Sequence, residues 1–393
     1  VLAVGDHDVS SWDLGGRPYA LVRDGVTHRR GLDGGMLAKG RRWRGEVATP
    51  FRRRLDATAA AEVAEEARRE AEAALRALPA DAPAEAAERL RTVVAMDAAA
   101  LAGDAARFRE IYSPLGILPP DQYLAIVVQA TDGCSWNQCR FCSLYAGVAF
   151  RVREEAEFRA HLHAVRDYLG PALPLRRSVF VGAANALCVA RARLEPLLRA
   201  VGEVFPLVDA ALPAAERRAA LAATPGAVTG LHAFVDAWTG ERKEIDEWRA
   251  YAALGLRRVY VGLETGDPAL LEFLAKPGDP GDAVALVESL HAAGIAAGVI
   301  VMAGAGGRRF AAAHAERTAD VLARMQLRAG DLVYVSDLLP GQNPAYARAA
   351  GDAGVEPLTG DELAAQRAAL TAGLARGPAG PKLARYDLDE FVY

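Results

Sequence analysis

The hydrophobic pattern of the chain changes near residue 121. Beyond it, short β-branched runs recur at Tyr123–Val128, Ser178–Val181, Val228–Val235, Arg258–Val261, Ala297–Met302 and Asp331–Val335. Amphipathic stretches separate them, at Glu155–Leu169, Arg193–Val204, Lys243–Leu254, Pro268–Leu274, Asp282–Ala293 and Ala311–Leu327. Apolar strands alternating with helices predict βαβ units and a parallel sheet buried on both faces. The six runs fit an open doubly wound sheet or a partial (β/α) barrel. In either fold, ligands meet the C-terminal ends of the strands.

The part before residue 111 reads as an appendage. Asp24-Gly25, between the short apolar runs of Tyr19–His28, predicts a hairpin. A basic run follows, with Arg41, Arg42, Arg44, Arg52, Arg53 and Arg54; such a run is expected to be a solvated face. Ala57–Leu78 is rich in alanine and glutamate and predicts a helix ended by Pro79 and Pro83, and Ala84–Ile111 predicts one or two more. The expected divisions are an accessory region over 1–110, an α/β core over 111–345 and a helical tail over 346–393.

The 393 residues are 52% hydrophobic and carry a formal net charge of −4, so the chain can bury a large core and has no global basic field. The first residues, VLAVGDHDVSSWD, are acidic and polar, and the longest apolar run, Ala292–Ala303, is short and glycine-rich for a membrane span. A cytoplasmic location is the expectation.

Composition changes the picture at one place. Of four cysteines, three lie in Cys134-Ser-Trp-Asn-Gln-Cys139-Arg-Phe-Cys142, just after the first strand run, and Cys188 stands apart. Three thiolates on one loop can hold three corners of a [4Fe–4S] cubane and leave the fourth iron open, whereas ferredoxin-type sites supply four cysteines. A structural zinc site is the alternative, with His161 or His163 as fourth ligand. Cys188 reads as a buried free thiol.

The cysteine loop, with Phe141 just before its last cysteine, and the strand–helix series after it resemble the radical S-adenosylmethionine (SAM) superfamily. The first gap is four residues here, where the superfamily usually has three, which asks for one extra loop residue. Residues 257–279, "RRVYVGLETGDPALLEFLAKPGD", resemble the fourth-strand region of the branch related to oxygen-independent coproporphyrinogen oxidases and Elongator-type enzymes. "GVIVMAGAGG" (298–307) resembles its fifth-strand glycine motif, and "HAERTADVL" (314–322) the helix after it. "SVFVGAANAL" (178–187) stands where the superfamily often has a Gly-Gly-Glu-like motif; Ala183 and Ala184 break that pattern, leaving backbone carbonyls or Asn185 to act.

The resemblance covers about residues 111–345 and implies a partial (β/α)6 TIM-like barrel behind a hairpin and helical appendage. It implies a [4Fe–4S] cluster on Cys134, Cys139 and Cys142, whose open iron chelates SAM. Reductive cleavage then yields a 5′-deoxyadenosyl radical that abstracts hydrogen from a substrate. It further implies SAM contacts at Phe141, Gly182, Asn185, Glu264 (to the ribose), Lys276 (to the carboxylate) and Gly304 (close to adenine). An electron donor such as flavodoxin or ferredoxin is the expected partner, with a small-molecule substrate and no nucleic acid. An RNA- or peptide-modifying enzyme is one alternative, and a non-enzymatic iron–sulfur carrier or sensor another. His232, Asp236 and His314 are further candidates to meet substrate. The absence of a second cysteine cluster, and of an Asp-x-His-x-x-Gly pattern in the N-terminal part, disfavours methylthiotransferase and cobalamin-dependent chemistry.

Overall fold

The structure is a computed structural model and describes residues 1–5, 8–45, 47–338, 343–375 and 377–393. Its first layer is an antiparallel meander of six strands: β1 (Leu2–Val4), β2 (Val9–Trp12), β3 (Pro18–Arg23), β4 (Val26–Arg30), β5 (Met36–Arg44) and β6 (Val47–Arg54). The expected hairpin is β3–β4. Asp24 and Gly25 both have positive φ, 47° and 75°, so the two-residue loop has the left-handed backbone that matches strand twist. The basic run forms the β5–β6 hairpin. Charged side chains with little strand propensity hid it, since its alternation carries no apolar signal.

Against this sheet lie α1 (Ala57–Arg76), α2 (Ala84–Val94) and α3 (Ala98–Ile111). Asp56 caps α1 by accepting from the Ala59 N–H, and Ala60, Ala64, Ala67 and Ala71 form its buried stripe. Arg17 ties this layer to the next: its guanidinium donates to Asp104 at 2.9 Å and to the Tyr168 carbonyl at 2.9 Å.

The second layer is an all-parallel sheet built from β7 (Ile126–Gln129), β10 (Val179–Gly182), β11 (Leu231–Val235), β12 (Leu256–Glu264), β13 (Ala296–Ala303), β14 (Leu332–Asp337) and β15 (Lys382–Tyr386). The two-residue strands β8 (Thr131–Asp132) and β9 (Arg151–Val152) pair separately, beyond the end of β7. Helices α4 (Glu155–Leu169), α5 (Arg191–Val204), α6 (Ala214–Ala223), α7 (Ala237–Gly240), α8 (Ile245–Ala253), α9 (Pro268–Phe273), α10 (Pro280–Ala292), α11 (Gly307–Arg324), α12 (Pro344–Asp352) and α13 (Gly360–Leu370) connect the strands.

Strand order follows chain order from β7 to β15 with no reversal. A doubly wound sheet reverses at a switch point; a sheet wound one way is a barrel wall. The partial barrel therefore holds, with seven strands and not six. The seventh, β15, comes from the tail expected to be helical. Residues 387–393 then cross the open side to the β7 edge, where the Tyr393 hydroxyl accepts from the Val127 N–H at 2.9 Å and donates to the Ala125 carbonyl at 3.0 Å.

The barrel interior is aromatic. Phe180, Phe234 and Tyr260 pack together, and Tyr334 meets Tyr386. Asp121 closes the lower end, accepting from Tyr260 at 2.6 Å, Tyr334 at 2.8 Å and Arg258 at 3.0 Å. Gly298 makes room for this layer, because a Cβ there would come within 2.4 Å of the Tyr260 ring. Gly298→Ala should therefore lower stability by about 1–3 kcal/mol through overpacking, read as a fall in the urea midpoint. An unchanged midpoint would mean that the Tyr260 ring is free to shift.

Candidate active site

The C-terminal strand ends surround a cavity of about 450 Å³, large enough for a drug-sized ligand. Cys134, Cys139 and Cys142 line it together with Phe141, Asp236, Glu264 and Lys276. The cysteine loop is an excursion closed at its base by the β8–β9 pair. Asp132 holds that base through Arg151 and Arg153 at 2.6 and 3.1 Å. Gly133, with φ +69°, is obligatory there, since a Cβ would come within 2.8 Å of the Ala149 carbonyl.

The middle of the loop is fastened to the end of α9. The Trp136 indole N–H donates to the Ala275 carbonyl at 2.9 Å. The Arg140 backbone N–H donates to Leu274 at 2.9 Å, and its guanidinium to Phe273 at 2.6 Å. That helix end is itself a Schellman turn: Ala275 is left-handed (φ 54°), its N–H donates to Glu272, and the Lys276 N–H reaches back to Leu271. The turn aims Lys276 into the mouth. One set of hydrogen bonds thus positions both the thiols and the lysine.

Lys276 is buried, with its Nζ 3.8 Å from Asp236 and 3.8 Å from Glu264, over the Trp238 ring at 5.3 Å. Burial alone would depress its pKa; the carboxylates of Asp236 and Glu264 outweigh burial and raise it. Burial raises Glu264 and Asp236, with Lys276 opposing in each case. Glu264 stands at a β-bulge between Gly262 and Glu264 and has φ +62°, which sets its carboxylate toward the cavity. Gly262 leaves it space, because a Cβ there would come within 2.6 Å of the Glu264 carboxylate. Burial also pushes the Cys139 thiol up to about 12 and raises Cys142, so binding a metal group there must displace their protons.

Asn185 is fully buried behind the cavity wall. Its amide donates to Asp236 at 2.7 Å and to Ser135 at 3.0 Å, and its carbonyl accepts from the Asp236 N–H. It braces the carboxylate against the cysteine loop. Gly182 and Gly304 do not line the cavity. The Gly304 N–H donates to Gln366 of α13 at 2.7 Å, and Gly307 packs on the Glu356 carbonyl in the α12–α13 loop, so these backbone approaches are made to the protein's own chain. Cys188 is a free thiol, as expected, but half-buried rather than buried, and it hydrogen-bonds with the Ser135 side chain.

The three histidine questions resolve by position. His232 is buried at the lower, Asp121 end beside Arg258 and Tyr260, away from Asp236 at the mouth. His161 is buried and accepts from the Gln129 N–H at 3.0 Å, and it does not line the cavity; His163 is exposed. His314 is fully buried, with Nε2 on the Met302 carbonyl at 2.9 Å and Nδ1 on Thr265 at 2.7 Å. Nε2 therefore donates and Nδ1 accepts, which props the strand end beside Glu264. None of these histidines lines the cavity.

Sequence reasoning did not find Ser135, Trp136 and Trp238, whose roles come from contacts between distant segments, nor Arg54, Leu388 and Asp389, which reach the cavity from the two ends of the chain. Among the described residues, no three His, Cys, Asp or Glu side chains are arranged around a single metal ion. A cubane does not require that, because its thiolates bind three separate irons. The donor set and the adjoining charged wall fit a three-cysteine cluster with a bound zwitterionic ligand. No helix of the described residues is long and apolar enough to cross a membrane.

No family model matches the chain, and no curated protein is similar to it. Among solved structures it is similar to coproporphyrinogen III oxidase (HemN) from Escherichia coli, described as a radical SAM enzyme, at 15% identity and TM-score 0.43, over 70% of this chain and 58% of that one. It is similar to TsrM from Kitasatospora setae, a radical SAM methyltransferase with cobalamin and a [4Fe–4S] cluster bound, at 20% identity and TM-score 0.39, over 60% and 41%. It is also similar to the archaeal Elp3 of Methanocaldococcus infernus, at 10% identity and TM-score 0.41, over 66% and 56%. The chain thus spans 41–58% of the length of these structures.

The His314 environment sets a pH dependence. Burial lowers its pKa to about 4 from an ordinary 6.5. A depressed histidine contributes stability above its unfolded pKa and loses it as pH falls through 6.5 toward 4, by about 3 kcal/mol in all. Urea titrations should show the advantage of the parent over His314→Gln shrinking across that window. A constant difference would mean that His314 is not held neutral by the fold.

Proposed function

We propose that the chain is a radical SAM enzyme. The observation that carries this reading is the convergence of Cys134, Cys139 and Cys142 on one cavity with Glu264, Lys276 and Asp236. Cys134, Cys139 and Cys142 hold the [4Fe–4S] cluster, leaving one iron without a protein ligand. When bound, cluster and SAM together supply one-electron cleavage of the sulfonium and a 5′-deoxyadenosyl radical for hydrogen abstraction.

This chain's own residues bind and orient. Lys276 reaches its carboxylates only at 3.8 Å, which leaves ammonium donors for the carboxylate of SAM. With SAM bound, Asp236 would accept from its amino group, Glu264 would accept from the ribose hydroxyls, and Phe141 would pack along the adenine. The residue 387–393 crossing and the aromatic floor exclude water. A carrier that only relays electrons has no use for a charged wall beside its cluster.

Anaerobic reconstitution should load about four irons per chain, and a Cys→Ala change at any of the three thiols should abolish the loading. Reduced protein given SAM should release 5′-deoxyadenosine. Stoichiometric zinc without iron uptake would overturn the cluster assignment. An unchanged paramagnetic spectrum on SAM addition would favour the carrier.

Glu264→Ala should weaken SAM binding about tenfold to a hundredfold, the loss of a charge-assisted hydrogen bond of about 1.5–3 kcal/mol. Glu264→Gln should fall between Ala and the parent, with iron content unchanged in both. Unaltered affinity with a much lower melting temperature would make Glu264 a structural partner of Lys276 alone.

A further inference from the structure

The β5–β6 hairpin concentrates charge that the rest of the chain lacks. Residues 36–54 hold seven basic residues and one acid, Glu46, in a chain whose net charge is −4. Register decides where that charge points. Leu37 pairs with Arg54, Lys39 with Arg52, Arg41 with Pro50 and Trp43 with Ala48, and directly opposed residues share a face. The contacts of the first two pairs identify the face. Lys39 and Arg52 both reach Glu390, at 2.7 and 2.9 Å, and Arg52 reaches Asp387 at 2.6 Å. Arg54 donates to the Phe391 carbonyl at 2.7 Å and lines the cavity, as do Leu388, Asp389 and Phe391.

This face therefore begins at the cavity rim and continues along the hairpin to Arg41 and Trp43. Arg41 is exposed and forms no ion pair with the described residues, and Trp43 is 67% exposed. The Arg44 side chain lies outside the described residues. A large aromatic and a guanidinium held in water on a rigid ribbon make a stacking platform beside a phosphate-binding charge.

We propose that this face binds single-stranded nucleic acid, with a phosphate on Arg41, which forms no ion pair with the described residues, and a base stacked on Trp43, so that a nucleotide a few positions along the strand is presented to the cavity about six strand residues away. Presentation to the cavity rests on the radical SAM reading; binding along the hairpin does not. An acidic peptide would satisfy the cations and leave Trp43 without a role. On this proposal the substrate is part of a longer strand, where the sequence led to the expectation of a small molecule.

The test is equilibrium fluorescence anisotropy on the reconstituted protein, with labelled mixed-sequence single-stranded RNA of about 16 nucleotides, the same sequence as DNA, and a poly-glutamate peptide. Saturable binding of the RNA, the DNA or both is expected, weakening steeply between about 50 and 200 mM salt. Preference for RNA would assign the substrate by its 2′-hydroxyls, and equal binding would assign the shared backbone and bases.

Trp43→Ala should weaken binding about fivefold or more, and Trp43→Phe should restore most of it. Arg41→Ala should reduce the salt slope by about 0.7. Circular dichroism and melting temperature, unchanged for these surface variants, show that the hairpin is intact. The proposal is overturned if neither nucleic acid binds, if poly-glutamate binds as well as they do, or if Trp43→Ala binds like the parent. None of these readouts needs SAM cleavage, so a failure to form 5′-deoxyadenosine would count against the activity and not against the face.

Discussion

The mouth of this barrel depends on one buried cation. Lys276 lies between Asp236 and Glu264, and without it two largely buried carboxylates would share the cavity wall with no cation between them. Removing one partner from such an arrangement leaves an uncompensated buried charge, so the groups are interdependent. The same turn that aims the ammonium also receives the Trp136 and Arg140 hydrogen bonds from the cysteine loop. Thiols and charges are consequently set in one frame.

That frame explains several local choices that look costly in isolation. Glu264 and Ala275 adopt left-handed backbone conformations that residues other than glycine rarely take. Each places a functional group: the bulge directs the Glu264 carboxylate, and the turn at Ala275 brings Lys276 back toward the strand ends. Gly262 and Gly133 are small where carboxylate and carbonyl come close. Local propensity yields at these points because the surrounding hydrogen bonds over-determine the geometry.

The two ends of the chain complete the same site. The accessory sheet is joined to the barrel through Arg17 and Asp104, and its basic hairpin is clamped to residues 387–390. The tail supplies the seventh strand and then crosses the open side to Tyr393, whose hydroxyl bonds at the β7 edge. An open barrel of parallel strands exposes two edges. Here the crossing brings polar partners to one of them and Leu388 and Asp389 to the cavity, while β6 brings Arg54.

Much of the core was legible in the sequence because its signals are local. Glu155–Leu169 is a helix over that range, and the strand runs fell within a few residues of the strands, since apolar runs and helical spacing report burial directly. The cysteine loop was legible because three thiols in nine residues have few inert explanations. The Arg-rich hairpin was read only as a charged surface, and β15 was not read at all, because an exposed strand and an edge strand show little apolar alternation. The sequence alone determined the strand–helix order, the three-cysteine loop and Glu264 as a carboxylate at a strand end. Tertiary structure decided that Asp236 is the second carboxylate, that His314 and His232 stay away from the cavity, and that the basic hairpin reaches its rim. The reason is physical: these relations join segments separated by tens to hundreds of residues, and a linear pattern carries spacing along the chain but not distance across the barrel mouth.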